Sequence, residues 1–236
     1  MELLTDPQAW VALLALTALQ IVLGIDNIVF ISIMAAKLPP AERERARVLG
    51  LAGALITRII LLFGIFVIVS LTEPIFEVFG RHFSGRDLIL LGGGLFLIAK
   101  ATFEIHERLE GEESSGKAAA GTLTSVVIQI VILDIIFSLD STITAVGMSD
   151  VLAIQVASII LAVIVMLVAS KPIGNVIERH PSLKILALSF LLLIGTSLIA
   201  EGFEISIPRE YIYFAMGFSV LVEMLNIRAH TRGKPL

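Results

Sequence analysis

Three aspartates stand inside long apolar stretches of this chain: Asp26 in QIVLGIDN (Gln20–Asn27), and Asp134 and Asp140 in DIIFSLDS (Asp134–Ser141). An aspartate at the centre of an apolar span costs about 2.5–3.5 kcal/mol on insertion scales, so it rarely sits there without a role. The two segments match position by position: a polar residue, three apolar ones, a small residue, an aliphatic one, Asp, then a side-chain hydrogen-bonding residue. Met34 and Met148 each lie eight residues beyond an aspartate, where a methionine in an apolar span reads as packing. The donors at hand are oxygens: Asp26, Asn27, Asp134, Asp140 and Ser141, with Thr142 and Gln20 behind them. The chain has no cysteine, and His82, His106, His180 and His230 fall in loops or at span ends. Oxygen ligands suit Mg, Ca and Mn, whereas thiolate and imidazole suit Cu and Zn. The chemistry implied is coordination of a divalent cation, and no catalytic residue or permanent cofactor is expected.

Other ionisable residues inside the apolar stretches are secondary candidates: Arg58, Lys100, Glu104 and Glu223, together with the amide of Gln20. The competing reading is that these acids and bases pair within a bundle. Lys100 and Glu104, one turn apart, fit a plain i,i+4 pair. Asp134 and Asp140 are six residues apart, which places them about 240° apart around a straight helix. They face one cavity only if the helix is wide-lined or broken between them, and Gly24 and Ser138 are the matching weak points.

The elements that must position these residues follow from composition. The chain has 236 residues, 57% hydrophobic and 16% charged, with a net charge of −4 and a mean hydropathy of +0.97. Soluble domains carry about 45–50% apolar and about 25% charged residues. The excess lies in long apolar blocks, which argues against a soluble enzyme, a disordered chain or a nucleic-acid binder. Blocks at about 10–36, 48–71, 88–103, 123–148, 151–170, 183–200 and 211–227 approach or exceed the roughly 17–25 residues of a membrane span. The first is too long for a signal h-region and has no basic residue before it, so it reads as a span. The fold expected is all-α: a polytopic membrane protein of seven transmembrane helices in a lipid bilayer.

Of seventeen Lys and Arg, twelve fall on one set of loops and three, Arg81, Arg86 and Arg209, on the other. That asymmetry places the N-terminus outside and the C-terminus in the cytoplasm. Residues 110–121 (EGEESSGKAAAG) read as a flexible polar linker. They separate a three-helix repeat, 1–109, from a second one, 122–204, with a seventh helix and tail in 205–236. With this topology the halves are inverted repeats, an architecture that binds substrate near the midplane and permits alternating access.

LGIDNIVFI (Leu23–Ile31), FSLDS (Phe137–Ser141), KATFEIHE (Lys100–Glu107) and IPREYIYFAMGFSVLVEMLN (Ile207–Asn226) resemble the TerC family of integral membrane proteins. That family is named for tellurium resistance and related to the lysine-exporter superfamily. The resemblance implies a seven-span bacterial inner-membrane protein, with several members exporting manganese. It also implies an ion site at Asp26, Asp134 and Asp140, and a functional motif at Lys100 and Glu104. The function expected is efflux of a divalent metal, most naturally Mn2+, with Asp26 and Asp140 as core ligands and Asp134, Asn27 and Ser141 completing or gating the site. Protons compete for such carboxylates, so metal-for-proton exchange is the expected coupling. The alternative is a non-transporting membrane-assembly or metal-stress factor. An intramembrane aspartyl protease is remote, because the flanks GID and SLD are not the Tyr-Asp and Gly-x-Gly-Asp contexts of that class. Retinal binding would need a lysine in the last span, which has none. Oligomeric state is left open.

Overall fold

A computed structural model describes residues 6–78, 80–109, 122–148 and 151–232, with backbone alone at 66, 68, 108, 140, 141, 143–145 and 230–232. Its helices are α1 (Pro7–Leu23), α2 (Ile25–Ala35), α3 (Pro40–Phe63), α4 (Ile65–Ser70), α5 (Gly85–Leu109), α6 (Leu123–Met148), α7 (Leu152–Arg179), α8 (Pro181–Gly202) and α9 (Arg209–Arg232). Between α4 and α5 stand two short strands, β1 (Pro74–Val78) and β2 (Arg81–Ser84). The linker expected at 110–121 lies outside the described residues.

Local chemistry explains the helix starts. Proline opens α1, α3 and α8, where its fixed φ suits the first turn and its missing N–H costs nothing. Asp6 caps α1 by accepting the Gln8 N–H at 2.9 Å. Ser84 and Asp87 form a reciprocal capping box at the head of α5. The Ser84 N–H donates to Asp87 Oδ2 at 2.8 Å, and the Asp87 N–H donates to Ser84 Oγ at 3.2 Å.

Among the described residues, α3, α5, α7, α8 and α9 are each long and apolar enough to cross a bilayer. The pair α1–α2, bent by 43° at Gly24, makes a sixth span if the two count as one. Within α6, which runs from Leu123 to Met148, the described residues give a shorter apolar helix, Leu123–Leu139, so five or six candidate spans are counted among the described residues. The break foreseen at Gly24 is present. The one foreseen at Ser138 is not, because α6 runs without interruption through it.

The chain forms two compact units. The first holds Met1–Ile89 and Ala119–Gly174, and the second Leu90–Ala118 and Asn175–Leu236. In the first, α3 and α6 make the main packing interface. A Cβ on Gly53 would stand 2.5 Å from Val131 Cγ2, and one on Gly50 would stand 2.9 Å from Ile130 Cγ2. Lipid tails are as apolar as leucine, so helices in a bilayer associate through such close packing rather than by burying oil from water. In the second unit, Phe190 of α8 packs with Ile212 and Met216 of α9.

The hairpin is a departure from a purely helical reading. Its strands pair antiparallel with Phe76 opposite Phe83, Glu77 opposite His82 and Val78 opposite Arg81. The two Phe rings stack at 5.6 Å between centroids.

Candidate functional site

The break in the first span comes from Gly24. Its N–H bonds the Ile21 carbonyl at 3.1 Å, a tight three-residue closure that ends α1. Its φ of −94° is open to any residue, so the reason for glycine is space. A Cβ there would stand 2.5 Å from Met166 Sδ of α7. The chain restarts at Ile25, which puts Asp26 in the first turn of α2, where the helix dipole favours a carboxylate. Asp26 is half-buried and Asn27 buried.

Asn27 belongs to a polar cluster drawn from four helices of the first unit. At its centre Arg58 of α3 meets Asp134 of α6, with Arg58 Nη2 2.6 Å from Asp134 Oδ1 and the side chains 4% and 3% exposed. Arg58 Nε donates to Oδ1 at 3.2 Å and Oδ2 at 3.3 Å, a forked grip on the carboxylate. Asn27 Nδ2 donates to Oδ1 at 2.7 Å. Ser138 Oγ, one turn along α6, donates to Oδ2 at 3.2 Å. On the far side of the guanidinium, Gln20 Oε1 of α1 accepts from Nη1 at 3.4 Å. All five residues are buried.

The electrostatics follow directly. Arginine keeps its charge in a protein, so the guanidinium needs an anion beside it in an apolar interior. Asp134 supplies that anion, and the pair is neutral as a unit. Of the residues singled out in the sequence, the structure gathers Gln20, Asn27, Arg58 and Asp134, and adds Ser138 as a hydrogen-bond donor. The backbone of Asp140 and Ser141 continues α6; their side chains lie outside the described residues. Among the described residues, no three acidic or imidazole groups stand together as a metal site.

The remaining candidates lie in the second unit. Lys100 is half-buried and Glu104 buried, one turn apart on α5. Glu223 of α9 is half-buried and accepts from Asn226 Nδ2 at 3.5 Å. The buried polar face of α7, with Gln155, Ser158 and Ser170, was missed in the sequence. Ser158 and Ser170 bond back to the carbonyls of Gln155 and Leu167, so they hide inside an apolar pattern.

Comparison with known proteins agrees with the helical membrane architecture. The chain is 57% identical over 224 residues to the UPF0053 inner membrane protein YgdQ of Escherichia coli K12, covering 95% of this chain and 94% of the relative. It is 56% identical over 230 residues to a UPF0053 protein of Haemophilus influenzae, covering 96% and 97%. With the UPF0053 inner membrane protein YoaE of Escherichia coli K12 it shares 53% identity over 228 residues, 96% of this chain but 44% of the longer relative. No solved structure matches it. The model of the integral membrane protein TerC family matches residues 5–234, and this chain belongs to that family.

Proposed function

We propose that the protein is a divalent-cation transporter that exports manganese from the cytoplasm. Asp26 and Asp140 are its core ligands, with Asp134, Asn27 and Ser141 completing or gating the site. The observation that carries this reading is the break of the first span at Gly24, which sets Asp26 in the first turn of the restarted helix. Broken spans in transporters put helix ends and freed carbonyls next to the carried ion. Oxygen donors favour Mn over Cu or Zn. Lys100, Glu104 and Glu223 are secondary candidates for a part in the transport cycle.

The proposed orientation has the N-terminus outside and the C-terminus cytoplasmic. Expelling a dication against a 100 mV inside-negative potential then costs about 4.6 kcal/mol, and two returning protons cancel it. Metal-for-proton exchange is the coupling we propose.

The test is Mn2+ flux in proteoliposomes of the purified protein, with Ca2+, Mg2+ and Zn2+ alongside and an imposed pH gradient. Mn2+ moves in the unsubstituted protein and fails to move in Asp26→Asn and Asp140→Asn, both still present in the membrane. The second reading is a non-transporting membrane-assembly or metal-stress factor. Vesicles that pass no metal at all would favour it.

A further inference from the structure

We propose that Arg58 is the cation Asp134 serves, and that this pair holds the bend of the broken first span instead of lending a ligand to a carried ion. The geometry stands by itself; the consequence for flux rests on the transporter reading above.

Asp134 is fully engaged. Its Oδ1 accepts from Arg58 Nη2, Arg58 Nε and Asn27 Nδ2, and its Oδ2 from Arg58 Nε and Ser138 Oγ. A metal ion approaching this carboxylate must displace a guanidinium that cannot give up its proton. The displaced arginine would then stand charged in an apolar interior, with the neutral amide of Gln20 as its remaining partner in the cluster. That exchange is unfavourable, so Asp134 acts through position.

The contacts are unequal on the two limbs of the broken span. Asn27, on α2, is held to Asp134 at 2.7 Å, a short charge-assisted bond. Gln20, on α1, meets Arg58 at 3.4 Å, near the limit of a hydrogen bond. Between them lies Gly24, where the helix is already interrupted and bent by 43°. α2, α3 and α6 are therefore pinned together by the ion pair, and α1 is attached to that pin by its weakest contact. Swinging α1 about Gly24 breaks the Gln20–Arg58 contact first and leaves the Arg58–Asp134–Asn27 core in place. Asp26, two residues past the hinge, has its surroundings changed by that swing. Arg58 and Asp134 are positioning residues, and Gln20 is the contact that couples the bend to them.

The chain has no cysteine, so spin labels at Val11→Cys on α1 and Ile60→Cys on α3, both exposed, report α1 against the pinned block without background. The label distance distribution is measured in full-length protein in nanodiscs, and Mn2+ flux in proteoliposomes. The set is the label-bearing parent, Gln20→Leu, Asp134→Asn and the double variant Arg58→Gln/Asp134→Asn. The double variant leaves no lone buried charge, so it guards against a single variant that does not fold. The expected result is a wider distribution for Gln20→Leu and a still wider one for the double variant. In flux, the double variant loses about tenfold in maximal rate while half-saturating Mn2+ stays within about threefold. An unchanged distribution in the double variant overturns the proposal. So does half-saturating Mn2+ raised about tenfold or more, since that is the signature of a lost ligand. If the parent moves no Mn2+, the transporter reading falls and the distance distribution alone decides the clamp.

Discussion

QIVLGIDN and DIIFSLDS carry one pattern of residue types, and the chain folds them differently. The first is interrupted at its small residue, with α1 ending before Gly24 and α2 beginning after it. The second runs through its small residue, Ser138, inside a single helix. Gly24 leaves a space that Met166 fills, so α7 presses against the chain where it turns. Ser138 instead donates its hydroxyl to Asp134 one turn back, which ties successive turns of α6 together. The acids diverge as well. Asp134 is neutralised by an arginine from another helix, whereas Asp26 opens a helix and faces its dipole. Equal spacing therefore gave equal opportunity, and the neighbour that each small residue admits decided the backbone.

The largest expected effect tests the contrast between the two carboxylates. Arg58→Leu leaves Asp134 charged and buried without its partner, and should cost about 3–5 kcal/mol. Removing the charge of Asp26 by Asn forfeits a helix-end interaction of about 0.3–1 kcal/mol. Unfolding titrations in detergent, supported by the amount of each variant in the membrane, compare them. Equal losses would dissolve the distinction. Next in size is Gly24→Val, which drives a branched side chain into Met166 and should cost about 1–3 kcal/mol. Adding Met166→Ala should return part of that loss, and a loss unaffected by the second change would mean the space is not what matters. The smallest effect belongs to Ser138→Ala, at about 0.5–1.5 kcal/mol for one hydrogen bond. Amide exchange along α6 should remain that of a continuous helix; a new fast-exchanging turn at 138 would show that the serine alone keeps α6 from breaking as α1–α2 does.

Much of this was readable from residues alone. The apolar blocks mark the helices, and Gly24 before an embedded aspartate marks the interruption. Other features depend on neighbours far away in the chain. An arginine within a span must find an anion, but its choice of Asp134, 76 residues on, is made by the packing of α3 on α6. Ser138 looked like a place to bend because it is small, and its hydroxyl turned out to serve the carboxylate four residues earlier. The strands Pro74–Val78 and Arg81–Ser84 are too short to show an alternating period, and their aromatic pair becomes visible only once Phe76 and Phe83 are opposed. The Ser84–Asp87 cap is a local signal that could have been seen.

The small hairpin between α4 and α5 also bears on where the chain meets the membrane surface. A pair of strands satisfies backbone groups only along the seam they share; each outer edge still presents N–H and C=O groups that hydrocarbon cannot solvate. Those edges must meet water or headgroups, whatever the flanking helices do. The stacked Phe76 and Phe83 are of a kind comfortable at that boundary, while Glu77 and Arg81 are content just above it. By that argument the hairpin belongs at the boundary between hydrocarbon and water, together with the helix ends it joins, Ser70 of α4 and Gly85 of α5.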